Sequence, residues 1–327
     1  MVLTRIVPRT HRLWWLEFGG EVRMLRRRLF RYFFRKYYLP RLSAIVAPDY
    51  PILLDYPVKT THRYGYGKPP HQQLAAMLEA GRNEYVTRLT RFCSLKDFLR
   101  QIPEEATQEA VEPCWGPQPY FNSLDAVALY GMLVEFRPKN FVEVGSGYST
   151  KFARRAIRDH ALSTRIISID PAPRAGIDQL CDSIIRRPLE EIELGIFDAL
   201  EPGDFLFIDS SHRTFGNSDV TVVFMDVLPR LRAGVVVHFH DIFWPYDYPP
   251  EWQDRYYSEQ YLLAAYLLGN RSEKLTVLLP NAFVIQDREL VQACAPLCTI
   301  AGIHRSQNAN SSPHCLEGGS FWLQLRE

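Results

Sequence analysis

The chain has 327 residues, 46% hydrophobic and 23% charged, the composition of an ordinary globular protein with length for one large domain plus additions. Its formal net charge of +1 is unevenly spread: residues 1–47 hold eleven Arg and Lys against Glu17 and Glu21, so this arm is +9 and the rest is −8. A body of that sign argues against nucleic acid as substrate, no apolar run is long enough to span a bilayer, and the N-terminus lacks the pattern of a signal peptide.

Residues 22–42, VRMLRRRLFRYFFRKYYLPRL, carry eight basic residues and no acid. As a helix they set Leu25, Leu29, Phe33 and Tyr37 in one apolar stripe. Either the stripe packs on the body, or the arm lies on an anionic membrane surface at the cytoplasmic face. Residues 48–75, with RYGYGKPP, read as an irregular wrapping segment, and helical patterns follow over 71–102. The expected divisions are a basic arm 1–47, a wrapping and mainly helical region 48–122, and a ligand-binding domain 123–327. The cysteines (Cys93, Cys114, Cys181, Cys294, Cys298, Cys315) show neither a CxxC pair nor a disulfide framework, so free thiols in a reducing cytoplasm are expected.

From Ser123 the pattern alternates. A helix from Ser123 through Leu133 leads to strand 141–144, helix 149–159, strand 165–169, helix 175–181, a short strand near 184–187, strand 204–208, helix 218–230 and strand 234–239. LTVLLP and SFWLQL add two strands near the end. Strands separated by helices predict a parallel, doubly wound Rossmann-like α/β sheet, and the uniformly apolar runs FLFI and GVVV fit strands covered on both faces.

Ligands of such sheets bind beyond the carboxyl ends of the strands. In FVEVGSGYST, Gly145, Ser146 and Gly147 form the first turn, and Ser149 or Thr150 can cap the next helix. The dinucleotide pattern needs a third glycine where Thr150 stands. Glu143 would repel a pyrophosphate and attract an ammonium, and Asp170, ending IISID, can accept from ribose hydroxyls. A ligand with an ammonium and a nucleoside but no phosphate fits S-adenosylmethionine.

Together FVEVGSGYST, IISIDP, DFLFIDSSH and VVVHFHDIF resemble the class I S-adenosylmethionine-dependent methyltransferases, over about residues 123–290. The nearest likeness is to the branch with Asp-x-x-His after strand four and His-Asp after strand five. The resemblance implies a seven-stranded sheet with an antiparallel last strand, and Glu143 and Asp170 holding the methionine amine and the ribose.

Asp209 and His212 follow the fourth strand, and His240 and Asp241 the fifth, so all four are expected to converge beside the cofactor, with Asp209 touching both sites. Two chemistries stay open. A His of near-neutral pKa can take the acceptor's proton, or Mg²⁺ or Mn²⁺ on Asp209, Asp241 and His240 can activate a hydroxyl. Metal-dependent O-methyltransferases of this fold carry Asn or Asp beside the second acid, where this chain has Ile242. His238 reads as a core histidine. The run IFWPYDYPPEW predicts an aromatic lid over about 243–262, with Trp244, Tyr246, Tyr248 and Trp252 offering faces to a small-molecule or saccharide acceptor, or else packing the loop itself. O-methylation is the leading expectation; a metal-dependent hydroxylase or lyase-like enzyme, or a non-catalytic binding protein, are the alternatives.

Overall fold

The structure, a computed structural model, describes residues 29, 33, 61–106, 111–116, 120–121, 123–269, 274–303 and 316–326. The chain divides into two units, Met1–Lys59 and Thr60–Glu327. Of the first, only Leu29 and Phe33 are described, both helical and exposed. The rest of the basic stripe, including Leu25 and Tyr37, and residues 48–60 of the wrapping segment lie outside the described residues. Among the described residues no helix is long and apolar enough to cross a membrane.

The second unit opens with helices α1 (Gln72–Ala80) and α2 (Arg82–Cys93), followed by α3 (Ser123–Phe136). Every residue of α3 from Ser123 to Leu133 is buried, as expected of a helix that is apolar on all sides; Asp125 is the single charged residue in that stretch. Then come β1 (Asn140–Val144), α4 (Tyr148–Asp159), β2 (Arg165–Ile169), β3 (Ser183–Ile185), β4 (Phe205–Ile208) and β5 (Val236–Phe239). The chain finishes through α5 (Glu259–Leu268), β6 (Leu275–Pro280), α6 (Asn281–Gln286), α7 (Arg288–Ala293) and β7 (Phe321–Leu325).

The seven strands form one sheet in the order β3-β2-β1-β4-β5-β7-β6. The first five are parallel, and β7 runs antiparallel to both β5 and β6. Alternate side chains feed two cores. Phe141, Phe205, Phe207 and Trp322 pack with α3 and α4 on one face, and Val142, Leu206, Ile208, Val237 and Phe239 join the core of the other. Covering both faces is what makes FLFI and VVHF read as continuous apolar runs.

Three expectations need correction. The helix expected over 175–181 is one 3₁₀ turn, Asp178–Leu180, in a stretch with Pro171, Pro173 and Gly176 nearby to interrupt helical pairing. The helix expected over 218–230 starts as α-helix at Asp219–Val222, widens to a π-turn at Val223–Val227 and closes as 3₁₀ at Leu228–Arg230, where Pro229 removes a backbone donor. Finally, Cys298 is disulfide-bonded, whereas Cys93, Cys114, Cys181 and Cys294 are free thiols. Sequence spacing carries no sign of a pairing made by the fold rather than by a motif.

The N-terminal helices are tied to the end of the sheet by polar contacts. Arg88 donates to the carbonyl of Leu278 in β6 (2.7 Å) and pairs with Glu135 of α3. Arg82 grips Asp287 through both terminal nitrogens, while the same carboxylate caps α7 by accepting from the N–H groups of Glu289 and Leu290. The Arg82 hydrogen bond, aided by the cap and opposed by partial burial, lowers the Asp287 pKa to about 2. Replacing Asp287 by Ala is expected to cost about 0.5–2 kcal/mol in urea unfolding at pH 7, the range for losing an N-cap. Because the folded pKa is depressed, the difference from wild type should be full above pH about 4 and fade as the pH falls toward 2.

Candidate active site

The backbone ladder runs one residue past the ends of the central strands. Gly145 N–H donates to Ile169 O, Asp209 N–H to Val144 O, and His240 N–H to Ile208 O. These bonds set the first turn, Asp209 and His240 side by side along one sheet edge. Gly145 adopts φ +80°, and a Cβ there would lie 1.8 Å from the carbonyl oxygen of Asp209. Only glycine lets the turn after β1 press against the end of β4. At Gly147 an added Cβ would meet nothing within 4 Å, so that side of the turn is open.

The turn is held from both sides. Asp170 accepts from Ser146 N–H (2.8 Å) and from Ala172 N–H (2.7 Å), which leaves each carboxylate oxygen further lone pairs. Ser146 and Ser168 share a hydroxyl hydrogen bond of 2.8 Å. Glu143 departs from the expected direct grip on a ligand ammonium. It is fully buried, and its two oxygens accept from the hydroxyls of Ser149 and Thr150 in the first turn of α4. It lies at an inward-facing position of β1, beneath the turn, and acts by fixing the start of that helix. Burial pushes its pKa up to about 7, against the hydroxyl hydrogen bonds that pull it down.

Four side chains meet at the ends of β4 and β5, as the spacing predicts. His212 Nε2 stands 3.4 Å from Asp209 Oδ1 and 3.4 Å from Asp241 Oδ2. His240 Nδ1 stands 3.4 Å from Asp209 Oδ1 and 3.4 Å from Asp241 Oδ1. These are ion-pair separations, too long or too bent for good hydrogen bonds. His212 and Asp241 both have φ +58°, a conformation uncommon for residues with a Cβ and frequent at functional sites. Burial alone would lower the pKa of either imidazole, but the carboxylates outweigh it and raise both well above the ordinary histidine value. Loss of hydration works against the charge on the partly exposed Asp209, yet His240 and His212 hold it below the usual carboxylate range. Asp241 is pushed up, first by burial and then by Asp209 and Asp125, despite the two imidazoles.

Two residues of this cluster went unnoticed in the sequence. Asp125 of α3 is buried, with Oδ2 3.3 Å from His240 Nε2. Glu259, at the start of α5, is fully buried with Oε2 2.8 Å from His212 Nδ1. A signal was present in each case: one acid at the head of an apolar helix, SLDAVALYGML and EQYLLAAYLL. His238, by contrast, sits in the core as expected, stacked on Phe207 at 3.7 Å with Nε2 2.8 Å from Ser320 Oγ.

The segment after β5 does reach the site. Ser258 and Glu259 N–H both donate to His212 O, and the Tyr257 ring lies 4.9 Å from that of His212. Its aromatic faces, however, are largely spent on the segment itself. Trp244 and Tyr248 are buried: Trp244 Nε1–H donates to Gln260 O, and Tyr248 OH accepts from Gln260 N–H. Tyr248 also stacks on Trp252. The expectation that Trp244 and Tyr248 face an acceptor is therefore corrected; they pack the loop around the fully buried Gln260.

With strand order, turn and strand-end acids in place, comparison with known proteins bears on one part of the chain. Residues 142–242 match the family model of a methyltransferase domain. An uncharacterized protein of Archaeoglobus fulgidus is 31% identical over 87 residues, 25% of this chain; the chain spans 39% of that relative's length. The SAH-bound methyltransferase PaMTH1 of Podospora anserina is similar at 15% identity and a TM-score of 0.34, over 66% of this chain and 94% of that one.

The buried acid of β1 carries a prediction. A carboxyl whose folded pKa is raised favours folding most when protonated, below its unfolded pKa, and that contribution is lost as pH rises through the folded value. The unfolding free energy of wild type relative to Glu143→Gln should therefore fall between pH about 4.5 and about 7, by a few kcal/mol at most, and level off above. Urea titrations at pH 5, 6, 7 and 8 measure it, and a flat difference would show that Glu143 is not titrating in that window.

Proposed function

We propose that this protein transfers the methyl group of S-adenosylmethionine to a hydroxyl oxygen of a small-molecule or saccharide acceptor. One observation carries the reading: the glycine turn expected to hold the cofactor is pressed against Asp209, which is also a member of the His/Asp cluster. Cofactor and acceptor-activating groups thus share one sheet edge, the placement that methyl transfer needs.

In the reaction the acceptor oxygen attacks the methyl carbon, the carbon–sulfur bond breaks, and the hydroxyl proton must leave. Asp170 is assigned to the ribose hydroxyls, and the open side of Gly147 to the methionine part. Asp209, His212, His240 and Asp241 are assigned to the acceptor hydroxyl. In their raised-pKa form the two imidazoles are charged and cannot take a proton, so either the acceptor's arrival or a cation must first displace one.

A divalent cation suits this cluster. Two buried carboxylates (Asp125, Glu259) and two partly exposed ones (Asp209, Asp241) surround two imidazoles, so acids outnumber the rings they face. The nitrogens facing the centre have no good hydrogen-bond acceptor. Among the described residues no group of three or more His, Cys, Asp and Glu stands in an arrangement that could hold a metal ion as it is, so a cation would need these side chains to shift. Asp209, Asp241 and His240, with His212, would hold such an ion, and the mixture of carboxylate and imidazole favours Mn²⁺ over Mg²⁺. Bound there, it would lower the pKa of the acceptor hydroxyl.

Calorimetry with S-adenosylhomocysteine is the direct test. Binding is expected, and Asp170→Ala should weaken it by about 1.5–3 kcal/mol, the range for a charged hydrogen-bond partner; equal affinity in the two proteins would remove the assignment. For the chemistry, labelled methyl transfer to a panel of sugars and phenols is expected to be lost in Asp241→Ala while S-adenosylhomocysteine affinity stays within about two-fold, the usual result when only the reacting end is changed. Chelator should suppress transfer and added Mn²⁺ restore it; indifference to chelator assigns proton removal to histidine alone.

A further inference from the structure

The two histidines present different nitrogens to the centre. His212 faces it with Nε2 and His240 with Nδ1. In each case the other nitrogen is held by a buried carboxylate from outside the strand-end motifs: His212 Nδ1 by Glu259 at 2.8 Å, and His240 Nε2 by Asp125 at 3.3 Å. A ring nitrogen bound to a carboxylate keeps its proton, so the opposite nitrogen is the one left free to bind or to accept.

We propose that Glu259 and Asp125 are positioning residues that fix opposite tautomers in His212 and His240, so that one ring works through Nε2 and its neighbour through Nδ1. This rests on the reading of Asp209, His212, His240 and Asp241 as the acceptor-activating centre. The carboxylates differ in how they are held. Asp125 Oδ1 accepts from the N–H groups of Gly319 (3.1 Å) and Ser320 (2.8 Å) and from Asn281 Nδ2 (2.8 Å). Its orientation is fixed by three donors, and Oδ2 is the atom left for His240, with Gly319 N–H also within 2.8 Å. Glu259 has Oε2 on His212, while Oε1 is buried with no hydrogen-bond partner.

That difference separates two amide substitutions. In Asp125→Asn the Ser320 N–H and Asn281 Nδ2 donors, which reach Oδ1 alone, outnumber the shared Gly319 N–H and keep the amide oxygen at the Oδ1 position, so the amide NH₂ faces His240 Nε2. A donor facing a donor drives the ring proton to Nδ1, the wrong side. In Glu259→Gln nothing fixes the amide: its oxygen can stay on His212 Nδ1 and its NH₂ can take the unpartnered place. Asp125→Asn should invert its histidine, and Glu259→Gln should leave its histidine unchanged.

Long-range proton–nitrogen NMR of the full-length chain with nitrogen-15 histidine reads this directly. At a pH where the rings are neutral, wild type and Glu259→Gln are expected to show His212 protonated on Nδ1 and His240 on Nε2, and Asp125→Asn to show His240 protonated on Nδ1. Calorimetry with S-adenosylhomocysteine, expected to be unchanged in both variants, reports on the cofactor reading separately and verifies folding. Like tautomers in the two wild-type rings, or an unaltered His240 pattern in Asp125→Asn, would overturn the proposal; the first needs no variant at all.

Discussion

Everything at the sheet edge depends on one close approach, the Gly145 backbone against the carbonyl of Asp209. A Cβ at 145 would sit 1.8 Å from that oxygen, well inside contact distance. The approach joins the turn after β1 to the end of β4 without an intervening side chain. It turns Asp209 into a shared wall: its main chain bounds the cofactor turn, and its carboxylate lies 3.4 Å from both His212 and His240. The turn after β1 therefore cannot move relative to the acidic centre unless the sheet itself moves.

The second constraint is charge. Burying a carboxylate without compensation is costly, and this edge buries Asp125, Glu143 and Glu259, with the partly exposed Asp209 and Asp241 beside them. Compensation differs from one to the next. Glu143 is met by hydroxyls only, so its pKa rises; Asp125 is met by an imidazole, an amide and two backbone N–H groups, so its pKa falls although burial opposes this. The unusual backbone at His212 and Asp241 belongs to the same economy, since the positive φ at both lets their side chains turn back over the strand ends. Such features are tolerated where the surrounding packing leaves no alternative.

How much of this was legible in the sequence follows from range. Strand–turn–helix periodicity is local, so β1, β2, β4 and β5 and the order of their end residues could be read from runs such as FVEV and FLFI. The meeting of Asp209, His212, His240 and Asp241 followed from the sheet order that the family resemblance implied. Three things were out of reach. Burial of Glu143 depends on Ser149 and Thr150 turning their hydroxyls inward, a side-chain choice made after the helix forms. The partners Asp125 and Glu259 lie 115 and 47 residues from the histidines they hold, and no spacing rule links them. The aromatic run after Asp241 gave its composition but not its direction; Gln260, an unremarkable glutamine in sequence, organises it.

The antiparallel last strand completes the site, and it does so for a topological reason. Parallel strands β1, β2, β4 and β5 all finish at the same sheet edge, where their loops carry the functional groups. A seventh parallel strand beside β5 would deliver another end to that edge. An antiparallel β7 delivers a beginning instead. Residues 316–320, which precede β7, therefore arrive beside the end of β5, where Gly319 O accepts from Ile242 N–H and the N–H groups of Gly319 and Ser320 meet Asp125. Backbone donors entering a strand are available in a way that those within its ladder are not. The strand inserted between β5 and β6 thus fixes the carboxylate of an early helix, that carboxylate holds His240, and His240 faces the shared Asp209. The segment entering β7 is thus joined to the centre through backbone groups, and residue 319 must stay small for it, since a Cβ there would lie 3.3 Å from Asp241 Cα.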